Sequence, residues 1–196
     1  MVEALTVNVA DRICRHRLDA IDQPIPHGSI QSRSRPDNAT TDLNLPHLLL
    51  PQSIIPNMRV NSKKQVFQVL ARKAANLTGR HEHTILSVLL ERERLGTTGI
   101  GNGVAIPHCK LPDLDRVHGL FARLQRPVDF DAIDGQPVSL VFLLLAPDAG
   151  GSCDLRMLAR VSRLFHDQAM REKLLGSDTA DAVYAILTQG GINRGI

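Results

Sequence analysis

The sequence has very few aromatic side chains: no tryptophan, one tyrosine and five phenylalanines among 196 residues. Proteins that hold unpaired nucleic acid stack the bases on aromatic side chains, so this scarcity weighs against such a platform. The formal net charge of +3 is also too small to indicate a polyanionic partner. Because 43% of the residues are hydrophobic, we expect an aliphatic core and no nucleic-acid partner.

Cysteine is scarce as well. The three cysteines are odd in number and show no C-x-x-C spacing: Cys14, Cys109 and Cys153. This pattern indicates reduced thiols and a cytoplasmic protein. There is no H-E-x-x-H motif, and His81 and His83 would point to different faces of a helix. We therefore expect no metal site.

Long hydrophobic runs are absent. The longest, residues 138–146, is far shorter than the roughly 20 residues that a membrane-spanning helix needs. Glu3 and Asp11 precede any apolar run, which argues against a secretory signal. These features predict no membrane insertion.

Two regions of different composition follow one another along the chain. Residues 1–42 include a stretch rich in Pro, Ser, Asn, Asp and Gln at 22–41, which is typical of a disordered leader or linker. A partner-binding arm is the alternative for this segment. Residues 43–196 have the periodicity of one globular domain.

Helical and strand patterns interleave in this second region. Ser62 and Gln65 predict the start of a helix that Gly79 ends, and further helices are expected at 82–95, 154–165, 168–175 and 179–187. Segments 117–124 and 138–146 are expected to be strands, the second covered on both faces. The fold class is therefore α/β, with a small mixed sheet flanked by helices on both sides.

One segment, GIGNGVAIPHCK at 99–110, combines glycines, a short apolar strand expected at 104–106 and a histidine after proline. Pro107 fixes its own φ and favours an extended residue before it, so we expect His108 to leave a strand end in a defined direction. Gly99, Gly101 and Gly103 allow backbone N–H groups to converge on an anion. The segment therefore predicts that His108 accepts a phosphoryl group.

Other chemistries fit this segment less well. Asn102 follows Gly101 where a P-loop needs lysine, and Val104 stands where a dinucleotide fingerprint needs glycine. Cys109 and His108 are neighbours in an extended segment, so their side chains point to opposite faces and form no nucleophilic pair. On the residues alone, a histidine that only packs the loop and bonds a carbonyl stays open as the alternative.

Several stretches of the chain resemble a known family. Residues 93–109 are similar to the active-site signature of phosphotransferase-system IIA domains of the mannitol/fructose type. Residues 91–103, 130–138 and 158–164 resemble the nitrogen-regulatory branch of that family. The resemblance covers about residues 43–190, and it implies a five-stranded mixed sheet of the mannitol-type IIA fold.

The resemblance also implies residue roles. His108 would be phosphorylated by a phosphorylated histidine carrier protein, on Nε2 of its ring. Arg92 matches the arginine beside the family's site, and Thr98 and Asn102 fall in the loop around the phosphoryl group. Backbone N–H groups at Gly99 and Gly101 would add stabilisation, and no metal or organic cofactor is required.

One position departs from the family. Asp154 stands where the family usually carries a second histidine, just before Leu155. Either Asp154 orients unphosphorylated His108 and shortens the life of the phosphorylated form, or it caps the helix that Leu155 begins.

The expected function is thus a phosphocarrier whose phosphorylation state regulates other proteins. Two alternatives stay open. One is a sugar-specific IIA component that passes phosphate to a IIB partner, and the other is a binding module that is no longer phosphorylated.

Overall fold

A computed structural model describes residues 45–148 and 152–192, and for residues 46, 152–154 and 190–192 the backbone only. The expected leader, residues 1–42, lies outside these ranges.

The first helices follow local signals. After α1 (Leu45–Leu48) and a 3-10 turn (Pro51–Ser53), α2 spans Lys63–Thr78. The Ser62 hydroxyl accepts a hydrogen bond from the Gln65 N–H at 3.3 Å, and the Gln65 amide oxygen accepts from the Asn61 N–H at 2.8 Å. Gly79 ends the helix, as expected. The bonds made by the Ser62 and Gln65 side chains satisfy N–H groups at the helix start that would otherwise have no partner.

Four more helices complete the helical part. α3 spans Glu82–Arg94, α4 Ser152–His166, α5 Gln168–Leu175 and α6 Ala180–Ile192. Each of the expected helices is present, with boundaries that shift by a few residues. No helix in the described ranges has the length and apolar character needed to cross a membrane.

The strands form one mixed sheet of six members. They are β1 (Ile54–Met58), β2 (Gly99–Gly101), β3 (Val104–Ala105), β4 (His108–Leu111), β5 (His118–Val128) and β6 (Val138–Pro147). The order is β1-β5-β6-β3-β2, with β4 also beside β6. Both β3 and β4 run parallel to β6 in continuous register, Val104 opposite Leu140 and His108 opposite Leu144. They are therefore one strand interrupted before His108, which reconciles six strands with the five expected.

Apolar side chains cover both faces of the sheet. One core cluster lies under α2 and α3, and a second lies under α1, α4, α5 and α6. β6 is central and buried along almost its whole length. The expected α/β class, a mixed sheet with helices on both sides, is confirmed.

Two local expectations need correction. β1 was not expected as a strand; it pairs in parallel with β5, from Ile54 opposite Phe121. His108 does not leave a strand end but begins β4. The expected strand before it, 104–106, stops at Ala105 because Pro107 lacks the N–H that a sheet ladder uses.

Candidate phosphoryl-acceptor site

His108 stands at an open edge of the sheet. Among the described strands β4 pairs only with β6, whereas β3 also pairs with β2. Side chains alternate along a strand. Cys109 belongs to the core under α2 and α3, and Ile106 belongs to the core on the other face. His108 therefore lies on the same face as Ile106, half-buried, where α3 can reach it around the edge of β4.

Hydrogen bonds fix the chemical form of the imidazole. Nδ1 of His108 lies 2.9 Å from the carbonyl oxygen of Ile106. A carbonyl only accepts, so Nδ1 carries the proton and donates it. Nε2 then keeps its lone pair, which accepts a hydrogen bond from Nε of Arg92 at 3.1 Å. The ring thus presents one unprotonated nitrogen toward a guanidinium.

The electrostatic setting keeps this ring neutral. Burial lowers the pKa of His108 below 6.5, and the positive charge of Arg92 lowers it further, against the raising effect of the Ile106 carbonyl and Glu93. Neutral imidazole is the nucleophilic form. Arg92 is itself held by a bond from Nη1 to the Gly96 carbonyl at 3.0 Å. The guanidinium of Arg92 therefore lies beside Nε2 of His108, the nitrogen that would carry a dianionic phosphoryl group.

Thr98 contributes an unusual hydroxyl. Its side chain is buried, and Oγ1 finds no hydrogen-bond partner among the described residues. The Thr98 carbonyl accepts from the Ile106 N–H at 2.9 Å, which sets the two residues side by side. A Cβ on the next residue, Gly99, would point at Ala132 in the core under α2 and α3. By alternation Thr98 faces the other way, toward the face that carries His108.

The loop before β2 is held by an ion pair that the sequence did not reveal. Both carboxylate oxygens of Glu93 accept from the Thr98 N–H, at 3.0 and 3.1 Å. Nζ of Lys63, the first residue of α2, lies 2.7 Å from Oε1 of Glu93. Glu93 is the first residue of the signature segment, so the sequence drew attention to it. Nothing in the sequence pointed to Lys63, because its partner lies far away along the chain.

The glycine turn does not reach the histidine, which corrects the expected roles of Gly101 and Asn102. β2 and β3 form a hairpin in which Gly101 pairs with Val104. His108 lies four residues beyond Val104, about 13 Å along the strand, and the turn points the opposite way.

One N–H group of this turn, that of Asn102, already has an acceptor. Asn102 donates its N–H to Oδ2 of Asp134 at 2.7 Å, and the Asn102 and Gln136 N–H groups lower the pKa of that carboxyl. The positive φ values at Gly101, 93°, and Asn102, 54°, serve this tight turn.

Gly99 is also needed for packing rather than as a phosphate donor. A Cβ there would lie 2.9 Å from both Cα and Cβ of Ala132, closer than side chains tolerate. Its N–H already bonds Oγ1 of Thr97 at 3.1 Å. The N–H groups of Gly99 and Asn102 are therefore bonded to Thr97 and Asp134, and the expected convergence of glycine N–H groups on one anion stays a prediction that these bonds do not favour.

Asp154 lies in the first turn of α4. Because the helix begins at Ser152, Asp154 follows the N-cap position instead of occupying it, and the expected capping role is corrected. Its side chain is outside the described part of the chain, so an interaction with His108 stays a prediction.

The neighbouring thiol takes no part in this chemistry. Cys109 is buried on the opposite face of β4, and burial raises its pKa to about 12. A thiol in that state does not form a thiolate at neutral pH. Within residues 45–148 and 152–192 no three potential ligands cluster as a metal site would require. The contact that the structure shows at the candidate site is between Nε2 of His108 and Nε of Arg92, at 3.1 Å; a part for the Thr98 hydroxyl stays a prediction.

Comparison with known proteins places the chain in a family. A profile described as "Phosphoenolpyruvate-dependent sugar phosphotransferase system, EIIA 2" matches residues 47–190. A nitrogen regulatory protein of Bradyrhizobium diazoefficiens is 56% identical over 140 residues, covering 71% of this chain and 92% of that protein.

Solved structures agree. The crystal structure of the nitrogen regulatory protein IIA-Ntr from Neisseria meningitidis matches with a TM-score of 0.69 and 37% identity, over 72% of this chain and 97% of that one. The mannitol IIA of Escherichia coli matches in fold, with a TM-score of 0.61 and 19% identity over 71% of this chain and 98% of that one. The chain, with its histidine at the edge of a mixed sheet, belongs to the EIIA type-2 family of the phosphoenolpyruvate-dependent phosphotransferase system.

Proposed function

We propose that this protein accepts a phosphoryl group on Nε2 of His108 from a phosphorylated histidine carrier protein, and that its phosphorylation state regulates partner proteins. The observation that carries the proposal is the pair of bonds on the imidazole: Ile106 holds the proton on Nδ1, and Arg92 lies on Nε2. A ring held in this way offers a single nucleophilic atom in a fixed direction.

The transfer needs no further reagent. The lone pair of Nε2 forms a new N–P bond while the N–P bond of the donor breaks, and that electron pair returns to the donor imidazole. The proton on Nδ1 of His108 stays there, bonded to Ile106. Such reactions depend on positioning and charge stabilisation more than on proton transfer.

Two side chains stabilise the phosphoryl group in this scheme. Arg92 releases Nε2 and donates to phosphoryl oxygens, while its contact with Gly96 anchors the other end of the guanidinium. The buried hydroxyl of Thr98, which has no partner among residues 45–148 and 152–192, donates to a second oxygen. Hydrogen bonds to a charged group contribute about 1.5–3 kcal/mol each.

The regulatory role rests on the relatives. The 56% identical protein of Bradyrhizobium diazoefficiens and the structure from Neisseria meningitidis are both named nitrogen regulatory proteins. Regulation of partners by the phosphorylated or unphosphorylated form is proposed here by that likeness.

The test is phosphate transfer to the purified chain. The chain is incubated with phosphoenolpyruvate, with the histidine carrier and with the enzyme that phosphorylates that carrier. The mass of the chain is then measured under alkaline conditions. We expect one acid-labile phosphoryl group in wild type and in His118→Gln, a histidine at the start of β5, and none in His108→Ala. Absence of phosphate from wild type, with the carrier shown to be charged, would overturn the proposal and favour a non-phosphorylated binding module.

A second step separates regulation from sugar transport. The phosphorylated chain is mixed with a sugar-specific IIB protein and its sugar. Retention of phosphate on His108 supports the regulatory role, and sugar-dependent loss of phosphate would make the chain a sugar-specific IIA component.

A further inference from the structure

An ion pair beside the site has no role in the transfer scheme above. Nζ of Lys63 contacts Oε1 of Glu93 at 2.7 Å, donates to the Phe130 carbonyl at 2.8 Å and reaches Oδ2 of Asp131 at 3.1 Å. The side chain of Glu93 is 8% exposed, whereas that of Asp131 is 81% exposed. Glu93 is therefore the buried partner, and its charge needs compensation.

The location of Glu93 makes its charge expensive. It stands in the last turn of α3, where the helix dipole presents partial negative charge. A buried carboxylate is strongly destabilising unless it is paired and hydrogen-bonded. Two cations, Arg92 and Arg94, lie in the same turn, yet the observed partner is Lys63 from the start of α2. Because Lys63 pairs with Glu93, Arg92 can bond Nε2 of His108.

Hydrogen bonds connect the ion pair to the imidazole. Glu93 accepts from the Thr98 N–H, the Thr98 carbonyl accepts from the Ile106 N–H, and the Ile106 carbonyl accepts from Nδ1 of His108. A change in the position of Glu93 therefore moves the residue that holds the imidazole proton and the loop that carries the buried hydroxyl.

We infer that Lys63 and Glu93 are positioning residues for phosphoryl transfer: Lys63 holds Glu93 on the Thr98 N–H and keeps its carboxylate from capturing Arg92. The inference rests on the proposed function. Neither residue touches the reacting atoms, and both act through Thr98 and Arg92.

Removal of the ammonium gives a specific expectation. In Lys63→Met the buried carboxylate of Glu93 loses its cation, and we expect it to attract Arg92, whose pKa the charge of Glu93 already acts to raise. A guanidinium drawn to Glu93 no longer lies on Nε2 of His108. Displacements of about 1 Å at a transfer site cost up to roughly 100-fold in rate.

The experiment measures the transfer rate at several carrier concentrations for four forms: wild type, Lys63→Met, Lys63→Arg and Lys64→Met. Lys64 is the exposed neighbour on α2, so Lys64→Met makes the same chemical change without touching the pair. We expect Lys63→Met to lose about 10- to 100-fold in the maximal rate, with little change in half-saturating carrier concentration. Lys63→Arg should recover most of that rate, and Lys64→Met should match wild type.

A measurement on the unphosphorylated protein makes the test independent of transfer. Nuclear magnetic resonance titration of His108 reports whether Arg92 still lies beside it, because the charge of Arg92 lowers the pKa of His108. The pKa of His108 should rise in Lys63→Met and stay unchanged in Lys64→Met. Because Glu93 also raises this pKa, Lys63→Met is made in an Arg92→Gln chain as well, where a smaller rise assigns the difference to Arg92. Thermal unfolding identifies any form that fails to fold.

The outcomes separate the two claims. If wild type takes up phosphate and Lys63→Met does so at the same maximal rate with an unshifted His108, the positioning role is overturned and the proposed function stands. If wild type takes up no phosphate, the proposed function is overturned, and the titration alone decides whether the ion pair positions Arg92.

Discussion

Replacing Thr98 by valine should make the protein more stable and less active at once. Valine has the shape of threonine without the hydroxyl, and Thr98 is only 4% exposed. The wild-type hydroxyl has no hydrogen-bond partner in the described structure. The substitution therefore removes a buried polar atom without opening a cavity.

The two effects can be estimated separately. An unpartnered buried hydroxyl costs about 1–3 kcal/mol, so the free energy of unfolding should rise by about 1 kcal/mol or more. For a chain of this size, each kcal/mol raises Tm by about 2–4 °C. In transfer, the loss of one hydrogen bond to the phosphoryl group, about 1.5–3 kcal/mol, should slow the reaction by roughly 10- to 100-fold.

The assay pairs thermal unfolding with the rate of phosphate uptake from the charged carrier. Thr98→Ser is the matched control, because it keeps the hydroxyl and loses only a methyl group; it should be less stable and retain most of the rate. A Thr98→Val variant that transfers at the wild-type rate would refute the role of this hydroxyl. A variant that unfolds more easily would show that the hydroxyl has a partner.

Three further predictions concern charge and packing. Burial and the Arg92 charge lower the pKa of His108 below 6.5, so as the pH drops below 6.5 the unfolded chain binds the proton before the folded one does, and the free energy of unfolding should fall. In Arg92→Gln the pKa of His108, measured by NMR titration, should rise. Arg123 donates to the Pro56 and Leu175 carbonyls at 2.8 and 3.0 Å, so Arg123→Ala should lose about 2 kcal/mol of stability in denaturant unfolding without slowing phosphate uptake. In Gly99→Ala the new Cβ would lie 2.9 Å from Ala132, so the free energy of unfolding should fall by about 1–3 kcal/mol, seen as a lower Tm. An unchanged Tm would contradict that packing.

The sequence predicts those parts of the fold that local signals determine. α2 carries its own cap at Ser62 and a regular apolar face, and β6 is an almost unbroken apolar run, so both were expected correctly. β1 was missed because it is short, contains Pro56 and depends on pairing with distant β5. Such pairing leaves no periodic pattern within the strand itself.

The site was predictable only in part, for a similar reason. His108 and Arg92 lie within one motif, and the structure brings them into contact. The glycines at 99–103 allow either an anion cradle or a tight hairpin, and the structure shows the hairpin, with Asn102 bonded to distant Asp134. Lys63 shows no motif at all, because its importance depends on where α2 begins relative to the end of α3.

The most direct test of the central claim is to determine which atom carries the phosphate. The chain, labelled with nitrogen-15, is charged by the phosphorylated histidine carrier and examined by NMR for coupling between phosphorus and ring nitrogen. The account predicts coupling to Nε2 of His108, with the Nδ1 proton still bonded to Ile106. Coupling to Nδ1, or to a different histidine, would contradict it.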